Sequence, residues 1–165
     1  MSDSYSVRSA TDPDVERLVE LNNAAVPAVS HADERRMAQL VQWSSLTWVA
    51  TDGAGDVVGF VILIEPGSTY DSQNYAWFAK RFSRFLYVDR VVVSDEHRGS
   101  GLGSRLYEAV IAEGGRRGSE RVAAEVNLVP PNPGSARFHR RHGFEAVGEQ
   151  RFADDYAVEM LVRPV

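Results

Sequence analysis

A glycine-rich turn between a β-branched run and an apolar helix pattern could bind a phosphate group. Arg98, Gly99, Gly101 and Gly103 follow the strand-like run of Val91, Val92 and Val93 and open a segment with apolar residues at helical spacing. Glycines leave backbone N–H groups accessible, and a helix start adds unpaired N–H donors and the positive end of its dipole. Arg98 adds a permanent positive charge, so the sequence predicts an anion-binding turn.

The spacing of these glycines excludes two other phosphate-binding motifs. A P-loop requires Lys followed by Ser or Thr after its last glycine, whereas Gly103 is followed by Ser104 and Arg105. A dinucleotide-binding turn requires G-x-G-x-x-G, whereas the glycines here are spaced G-x-G-x-G. The pattern that remains is Arg/Gln-x-x-Gly-x-Gly/Ala, and a turn that only caps a helix is its structural alternative.

A second segment, Asn132 to Phe144, completes a resemblance to a known family. Together the two segments resemble the GCN5-related N-acetyltransferases (GNAT), and specifically a bacterial branch of that superfamily. The turn is similar to the acetyl-CoA pyrophosphate loop of the family, and the second segment to its pattern Asn-x-x-Ala/Ser-x-x-Leu/Phe-Tyr-x-x-x-Gly-Phe. His139 stands where the family usually has tyrosine, and the matching residues are Asn132, Ser135, Phe138, Gly143 and Phe144.

The resemblance implies a fold and a reaction. The fold is α/β, with a mixed, mostly antiparallel central sheet that contains one parallel strand pair and is flanked by helices, in a single domain over residues 1–165. The reaction is acetyl-CoA-dependent N-acetyl transfer, made directly to a primary amine of a small molecule, an amino acid or a peptide. The resemblance also implies acetyl-CoA as donor and a homodimer. The four histidines lack metal-ligand spacing, so no metal is predicted.

The resemblance also assigns residues to the cofactor. The acetyl carbonyl and the pantetheine arm would lie along the strand, the pyrophosphate on the turn, and the second motif would touch the cofactor from its helix. The residues concerned are Val91, Val92, Val93, Arg98, Gly99, Ser100, Gly101, Leu102, Gly103, Ser104, Asn132 and Ser135.

Two candidate acids could protonate the departing CoA thiolate. Tyrosines at the position of His139 have this role in the family, and histidine can donate a proton near neutral pH because its ordinary pKa is about 6.5. The alternative is that His139 is a surface residue among the arginines of its helix. Tyr87 is the next candidate for the acid.

Two carboxylates could accept the proton of the amine. Asp89 lies on the same side of its strand as Tyr87, at a position that is often acidic in the family, and its alternative is an ion pair with an arginine. Glu125 shares a face of the next strand with Asn127, and polar side chains on an interior strand need partners. Glu125 is therefore a candidate base or substrate ligand, with Asn127 as a substrate ligand, and a structural hydrogen-bond network is the alternative.

The segment 65–84 is long for a connection between strands, and its mixture of polar and aromatic residues could line the acceptor site. Tyr70 and Trp77 are its candidate substrate-binding residues. The alternative, which is compatible with the first interpretation, is a short helix over 75–82 that packs its aromatic side chains on the core.

Hydrophobic periodicity predicts the strands and helices that would position these residues. The predicted strands are 5–9, 46–51, 57–64, 85–93, 122–129, 144–148 and 156–162. Helices are predicted after a cap at Thr11 or Asp12, over 32–41, from the glycine turn to about 117, and over 135–142.

Composition limits the classes of function. Hydrophobic residues make up 44% and charged residues 25% of the 165, as in ordinary globular domains, and the net charge of -5 argues against nucleic acid or an anionic membrane as partner. The chain has no cysteine, so a disulfide, a thiolate metal site and an acyl-cysteine intermediate are excluded. Without a leader-like N-terminus or a membrane-spanning run, a cytoplasmic location is expected. A non-catalytic acyl-CoA-binding module and an unrelated nucleotide-phosphate-binding domain are the alternative functions.

Overall fold

The structure is a computed structural model that describes residues 4–165. The first three residues, which belong to the stretch predicted to lack a leader, lie outside the described part. The strands are β1 (Ser6–Ser9), β2 (Leu46–Thr51), β3 (Val57–Ile64), β4 (Phe85–Val93), β5 (Arg121–Val129), β6 (Glu145–Ala153) and β7 (Tyr156–Pro164). The α-helices are α1 (Val15–Ala24), α2 (Glu34–Trp43), α3 (Gln73–Arg81), α4 (Leu102–Arg116) and α5 (Pro133–Arg141).

The strands form one mixed sheet in the order β1-β2-β3-β4-β5-β7-β6. The pairs β1/β2, β2/β3, β5/β7 and β6/β7 are antiparallel, and β4/β5 is parallel. This architecture confirms the predicted fold class. The parallel register runs only from Phe85↔Arg121 to Tyr87↔Ala123, although β4 continues to Val93.

The chain forms two compact units. The first contains residues up to Ile64 together with Val88–Glu108, and the second contains Glu65–Tyr87 and Ala109–Val165. β4 and α4 each contribute residues to both units. That residues 1–165 make a single domain stays a prediction.

In the first unit, α1 and α2 supply buried Leu18, Met37 and Leu40, and β3 is buried over its whole length. Thr11, one of the two predicted caps, caps a 3₁₀ turn (Asp12–Asp14) that leads directly into α1, and its N–H and Oγ1 donate to Asp14 Oδ2 at 2.7 and 3.0 Å. α2 begins at Glu34, later than predicted, because the side chain of Asp33 accepts from the N–H of Arg36 and caps the helix there.

In the second unit, the segment 65–84 forms the helix α3, which confirms the core-packing interpretation of that segment. The helix begins at Gln73, two residues before the predicted start, because Ser72 Oγ accepts from the N–H of Tyr75 and caps it. Its buried side chains include Tyr75 and Phe78, which lie against Phe85.

A close approach at Gly148 fixes α3 to β6. A Cβ atom at Gly148 would lie 2.5 Å from Cζ2 of Trp77, a distance that packed atoms do not tolerate. The ring of Trp77 therefore lies in the space that any other residue at position 148 would fill. β6 continues to Ala153, five residues beyond the predicted end, because its pairing with β7 continues to Ala153↔Tyr156.

Replacement of Gly148 should weaken this contact. Gly148→Val places a branched side chain where the Trp77 ring lies, and overpacking of this kind typically costs about 1–3 kcal/mol. We expect the free energy of unfolding, measured by urea denaturation, to fall by that amount. Gly53→Ala is the control, because a Cβ at Gly53 meets nothing within 4 Å. If Trp77→Leu did not reduce the loss caused by Gly148→Val, the contact would not be its cause.

Candidate active site

The glycine-rich turn adopts the conformation that its sequence requires. Gly99 and Gly101 have φ values of 75° and 84°, in the left-handed region that other residues rarely enter. The backbone from Arg98 to Gly101 is exposed, and α4 begins at the next residue. The side chain of Arg98 is 65% exposed and pairs with Asp95 at 3.0 Å, so this cation remains at the surface. These features leave N–H groups, a helix start and a positive charge together on one exposed turn.

Two further predicted cofactor residues, Leu102 and Val92, are buried, which restricts how they could contact a ligand. Leu102 is buried, with Cδ2 3.6 Å from where a Cβ on Gly59 would lie, and its N–H donates to Ser100 Oγ at 3.3 Å. Leu102 can therefore contact a ligand only through its backbone. In β4, Val92 is buried whereas Val91 and Val93 are partly exposed, as strand alternation requires.

A hydrogen bond outside the motif supports this turn. The hydroxyl of Tyr5 lies 2.8 Å from Nδ1 of His97, which directly precedes Arg98. The carbonyl of His97 accepts from the hydroxyl of Ser100. Tyr5 thus contacts the residue that leads into the turn, and nothing in its sequence context indicated this role.

The second motif forms the start and the interior of α5. Asn132 Oδ1 accepts from the N–H of Ser135 at 3.3 Å, so Asn132 caps the helix. His139 is only 4% exposed, which shows that the surface interpretation of this residue was wrong. Its ring lies between those of Phe138 and Phe144, at centroid distances of 5.6 and 5.1 Å.

The hydrogen bonds of His139 fix which of its nitrogens carries a proton. Nδ1 lies 2.8 Å from the carbonyl oxygen of Ser135, and a carbonyl can only accept, so Nδ1 is protonated. Burial lowers the pKa of His139 below its ordinary value, and this outweighs the opposite effect of the Ser135 carbonyl. In the neutral ring Nε2 then has a lone pair and no proton. Only the cationic ring could protonate a thiolate through Nε2.

In the second unit, polar side chains lie around Glu125. We call this set the Glu125 cluster; its members are Tyr87, Glu125, Asn74, Gln150 and Tyr156. The hydroxyl of Tyr87 lies 2.9 and 2.7 Å from the two oxygens of Glu125. Nδ2 of Asn74 donates to Glu125 Oε1 at 3.3 Å, and Nε2 of Gln150 donates to Asn74 Oδ1 at 2.9 Å. The partners that an interior carboxylate requires thus include Tyr87 and Asn74, both of which are neutral donors.

Tyr156 belongs to this cluster through Asn74. The pKa of Tyr156 is raised, first by burial and then by the negative charge of Glu125, while a hydrogen bond with the side chain of Asn74 opposes the shift. The position of Asn74 follows from the packing of α3, since Trp77, one turn later, lies on Gly148. Asn74, Gln150 and Tyr156 were not predicted, and the isolated glycine at 148 in a strand was the only sequence signal of this packing.

Asp89 has the arginine partner that its alternative interpretation expected. Its carboxylate lies 2.8 Å from Nε of Arg90, and the two side chains are 4% and 6% exposed. Arg90 also donates to Asn22 Oδ1 at 2.9 Å and to Ser30 Oγ at 3.2 Å. The guanidinium therefore joins β4 to α1 and to the connection that follows α1. A role for Asp89 as base stays a prediction.

The predicted acceptor residues separate into two groups. Asn127 and Gln150 both pair with Val158, so their side chains share one face of the sheet, the face of the Glu125 cluster. Tyr70 is buried with its ring 5.9 Å from that of Tyr75, and Trp77 packs on Gly148. The structure thus brings Tyr87, Glu125 and Asn127 to one face and gives Tyr70 and Trp77 packing roles.

Neither a metal-ligand cluster nor a membrane-spanning helix is found among the described residues. Within 4–165 no group of three or more His, Asp or Glu side chains is arranged to hold a metal ion. No helix in that part of the chain is both long enough and apolar enough to cross a membrane.

A family model described as Acetyltransferase (GNAT) family matches residues 15–144. The L-methionine sulfoximine/L-methionine sulfone acetyltransferase of Pseudomonas aeruginosa is 32% identical over 101 residues, which are 61% of this chain and 51% of that enzyme. The same enzyme from Pseudomonas paraeruginosa matches equally. The chain thus spans about half the length of these curated relatives.

Solved structures share the fold at lower identity. Ard1 from Thermoplasma volcanium superposes with a TM-score of 0.79 at 18% identity, covering 98% of this chain and 97% of that one. The putative acetyltransferase yncA from Salmonella typhimurium, solved with its cofactor acetyl-CoA, superposes with a TM-score of 0.71 at 21% identity, covering 98% and 94%.

The buried neutral state of His139 predicts a pH dependence of stability. Because its folded pKa lies below the ordinary 6.5, the unfolded chain binds more protons below that pH, and stability falls as the pH drops. His139→Gln keeps an N–H donor but cannot titrate. The unfolding free energy of this variant, measured by urea denaturation at pH 7.5 and 5.5, should fall less than that of the wild type, by up to about 1.4 kcal/mol per pH unit. The exposed His31 provides the control His31→Gln. Equal losses in wild type and His139→Gln would show that folding does not lower the pKa of His139.

Proposed function

This chain belongs to the acetyltransferase (GNAT) family, and on that premise we propose that it transfers an acetyl group from acetyl-CoA to a primary amine. The observation that carries the proposal is the exposed left-handed turn from Arg98 to Gly101 at the start of α4. A relative of the same fold, yncA, was solved with acetyl-CoA, which supports this donor. The proposed enzyme is cytoplasmic and uses no metal. The homodimer and the absence of a nucleic-acid partner stay predictions.

The donor would be held by β4 and the turn. The pyrophosphate would accept from the N–H groups of the turn, with Arg98 as counter-charge. The pantetheine arm would add to β4 at Val91–Val93, beyond Tyr87, where the register with β5 ends. Asn132 and Ser135 would contact the donor from α5, Asn132 while also capping that helix.

The acceptor would bind at the Glu125 cluster. An amine is protonated near neutral pH and must lose a proton before its nitrogen can attack the thioester carbonyl carbon. The hydroxyl of Tyr87 and the amide of Asn74 orient the carboxylate of Glu125, which would attract the ammonium and accept its proton. Asp89 is less suited, because Arg90 already pairs with it.

The departing sulfur of CoA must also gain a proton, and His139 and Tyr87 are the predicted donors. The nitrogen forms a bond to the carbonyl carbon and gives up its second proton, the carbon–sulfur bond breaks, and the sulfur leaves as a thiolate that takes up one proton. His139 could supply that proton only from its cationic ring, because neutral Nδ1–H donates to Ser135. Tyr87 donates to Glu125 and is fully buried, so its first role is to orient the carboxylate.

The names of the curated relatives support one class of acceptor for this proposal. The Pseudomonas relative is named for acetylation of methionine sulfoximine and methionine sulfone, which are amino acids. We propose that the acceptor amine here is the amino group of an amino acid or of a peptide. The replacement of the usual tyrosine by His139 keeps a non-catalytic acyl-CoA-binding module as the second candidate. Release of free CoA with any amine excludes that candidate.

Replacement of Gly101 should abolish donor binding. Gly101→Val imposes a left-handed conformation on a β-branched residue and places a side chain beside the N–H groups that would bind phosphate. We expect the Kd for acetyl-CoA, measured by titration calorimetry, to rise at least about tenfold, equivalent to 1.4 kcal/mol.

The matched control for Gly101→Val is Gly55→Val in the β2–β3 hairpin. Gly55 has φ 88°, and a Cβ at either glycine meets nothing within 4 Å. Gly55→Val thus carries the same backbone strain away from the turn and should leave the Kd unchanged. Equal effects of the two variants on the Kd would contradict the proposed phosphate site.

Neutralisation of Glu125 should slow the transfer. Glu125→Gln keeps the shape of the side chain and removes the base, so kcat/KM for the amine should fall by about 10²–10⁴-fold while the acetyl-CoA Kd stays unchanged. The assay is CoA release across pH, and the limb that reports the base should disappear. Glu149→Gln makes the same charge change on an exposed residue next to Gln150 and should behave as wild type. An unchanged pH profile for Glu125→Gln would assign the base elsewhere, with Asp89 as the first alternative.

A further inference from the structure

Two exposed aromatic side chains lie together at the end of the β6–β7 hairpin. Phe152 and Tyr156 have ring centroids 5.1 Å apart and an interplanar angle of 24°, so the rings are stacked. They are 37% and 41% exposed, whereas Tyr75, Phe78, Phe85 and Tyr87 of the same unit are buried. Single exposed apolar side chains are common on protein surfaces, but a stacked pair presents a continuous apolar surface.

This pair lies on the same face of the sheet as the proposed acceptor site. Tyr156 comes two residues before Val158, which pairs with Gln150 of the Glu125 cluster, so strand alternation places its ring on the face of that cluster. The negative charge of Glu125 also contributes to the raised pKa of Tyr156, as expected for two groups that lie close together. A ligand that reaches Glu125 on this side meets an anionic group and an aromatic surface together.

The neighbouring charges favour a cationic ligand. The hairpin turn between the two rings consists of Asp154 and Asp155, both exposed. Arg151 donates to the carbonyl oxygens of Ala153 and Asp154 at 3.3 and 3.2 Å, which holds the turn in shape. An ammonium group is stabilised by carboxylates and also by the faces of aromatic rings.

We propose that Phe152 and Tyr156 bind the side group next to the acceptor's amino group, so that the chain acts on primary amines that carry a large apolar substituent. The inference rests on the proposed acetyl transfer. The ammonium is placed at Glu125, and the apolar group covers the stacked rings. Apolar area removed from water stabilises the complex, and this stabilisation persists in the transition state.

The test compares two acceptors that differ only in the apolar group. CoA release is measured with L-phenylalaninamide and with glycinamide, both neutral at the carboxyl end. Wild type should show a kcat/KM ratio of about 10–200 in favour of L-phenylalaninamide, the range expected when an apolar group is recognised. The variant Phe152→Ser should move this ratio toward one, mainly through the KM for L-phenylalaninamide. The kcat for glycinamide should stay near that of the wild type.

Two controls separate this role from other roles of the same residues. Tyr156→Phe keeps the ring and removes the hydroxyl, so it should keep the preference. Val147→Ser removes another exposed apolar side chain of β6, 42% exposed, and should leave the ratio unchanged. Chemical-shift changes at the backbone amides of Ala153 and Tyr156 on addition of L-phenylalaninamide give a readout that does not depend on turnover.

The outcomes distinguish the inference from the proposed function. Equal kcat/KM for the two amines in wild type overturns the inference and leaves acetyl transfer intact. A Phe152→Ser variant that keeps the wild-type ratio but unfolds at lower urea concentration shows that Phe152 only stabilises the hairpin. Acetyl-CoA binding without CoA release with either amine overturns both.

Discussion

The Tyr87–Glu125 interaction organises the candidate active site. Tyr87 is the last residue of β4 in register with β5, opposite Ala123, and its hydroxyl reaches both oxygens of Glu125 two residues further along β5. A carboxylate on an interior strand loses much of its hydration, and this cost is offset only when donors replace water. The position of Tyr87 thus makes a charged group at Glu125 compatible with the fold.

The two carboxylates on neighbouring strands illustrate how environment divides their roles. Asp89 lies against the guanidinium of Arg90, whose other nitrogens bind Asn22 and Ser30, so its charge is used to fix the connection after α1. Glu125 accepts from a phenol and an amide, which orient the carboxylate. Sequence alternation placed both side chains, and only the contacts distinguish the carboxylate paired with Arg90 from the one oriented by Tyr87 and Asn74.

The sequence determined those features that depend on local conformation. β2, β3 and β4 were predicted with their observed bounds, because β-branched runs end at turn residues, and the turn at Gly101 because its φ of 84° suits glycine. Features that depend on distant packing were not predicted. The Glu125 cluster requires the β6–β7 register and the contact of Trp77 with Gly148, and neither is encoded near Asn74 or Gln150. His139 lies among arginines in the sequence, whereas its ring in the fold makes edge-to-face contacts with Phe138 and Phe144, which help to bury it.

β6 forms one edge of the sheet, and its irregularities have a consequence for association. An edge strand presents a row of backbone N–H and C=O groups that can pair with a strand of another molecule. The register of β6 with β7 shifts twice, between Ala146 and Gly148 and between Arg151 and Ala153. Each shift breaks the even spacing of the outward-facing backbone N–H and C=O groups. The exposed carboxylates of Glu145 and Glu149 would also lose hydration in a contact that excludes water. Strand addition at this edge is therefore disfavoured, which protects the molecule from edge-to-edge aggregation.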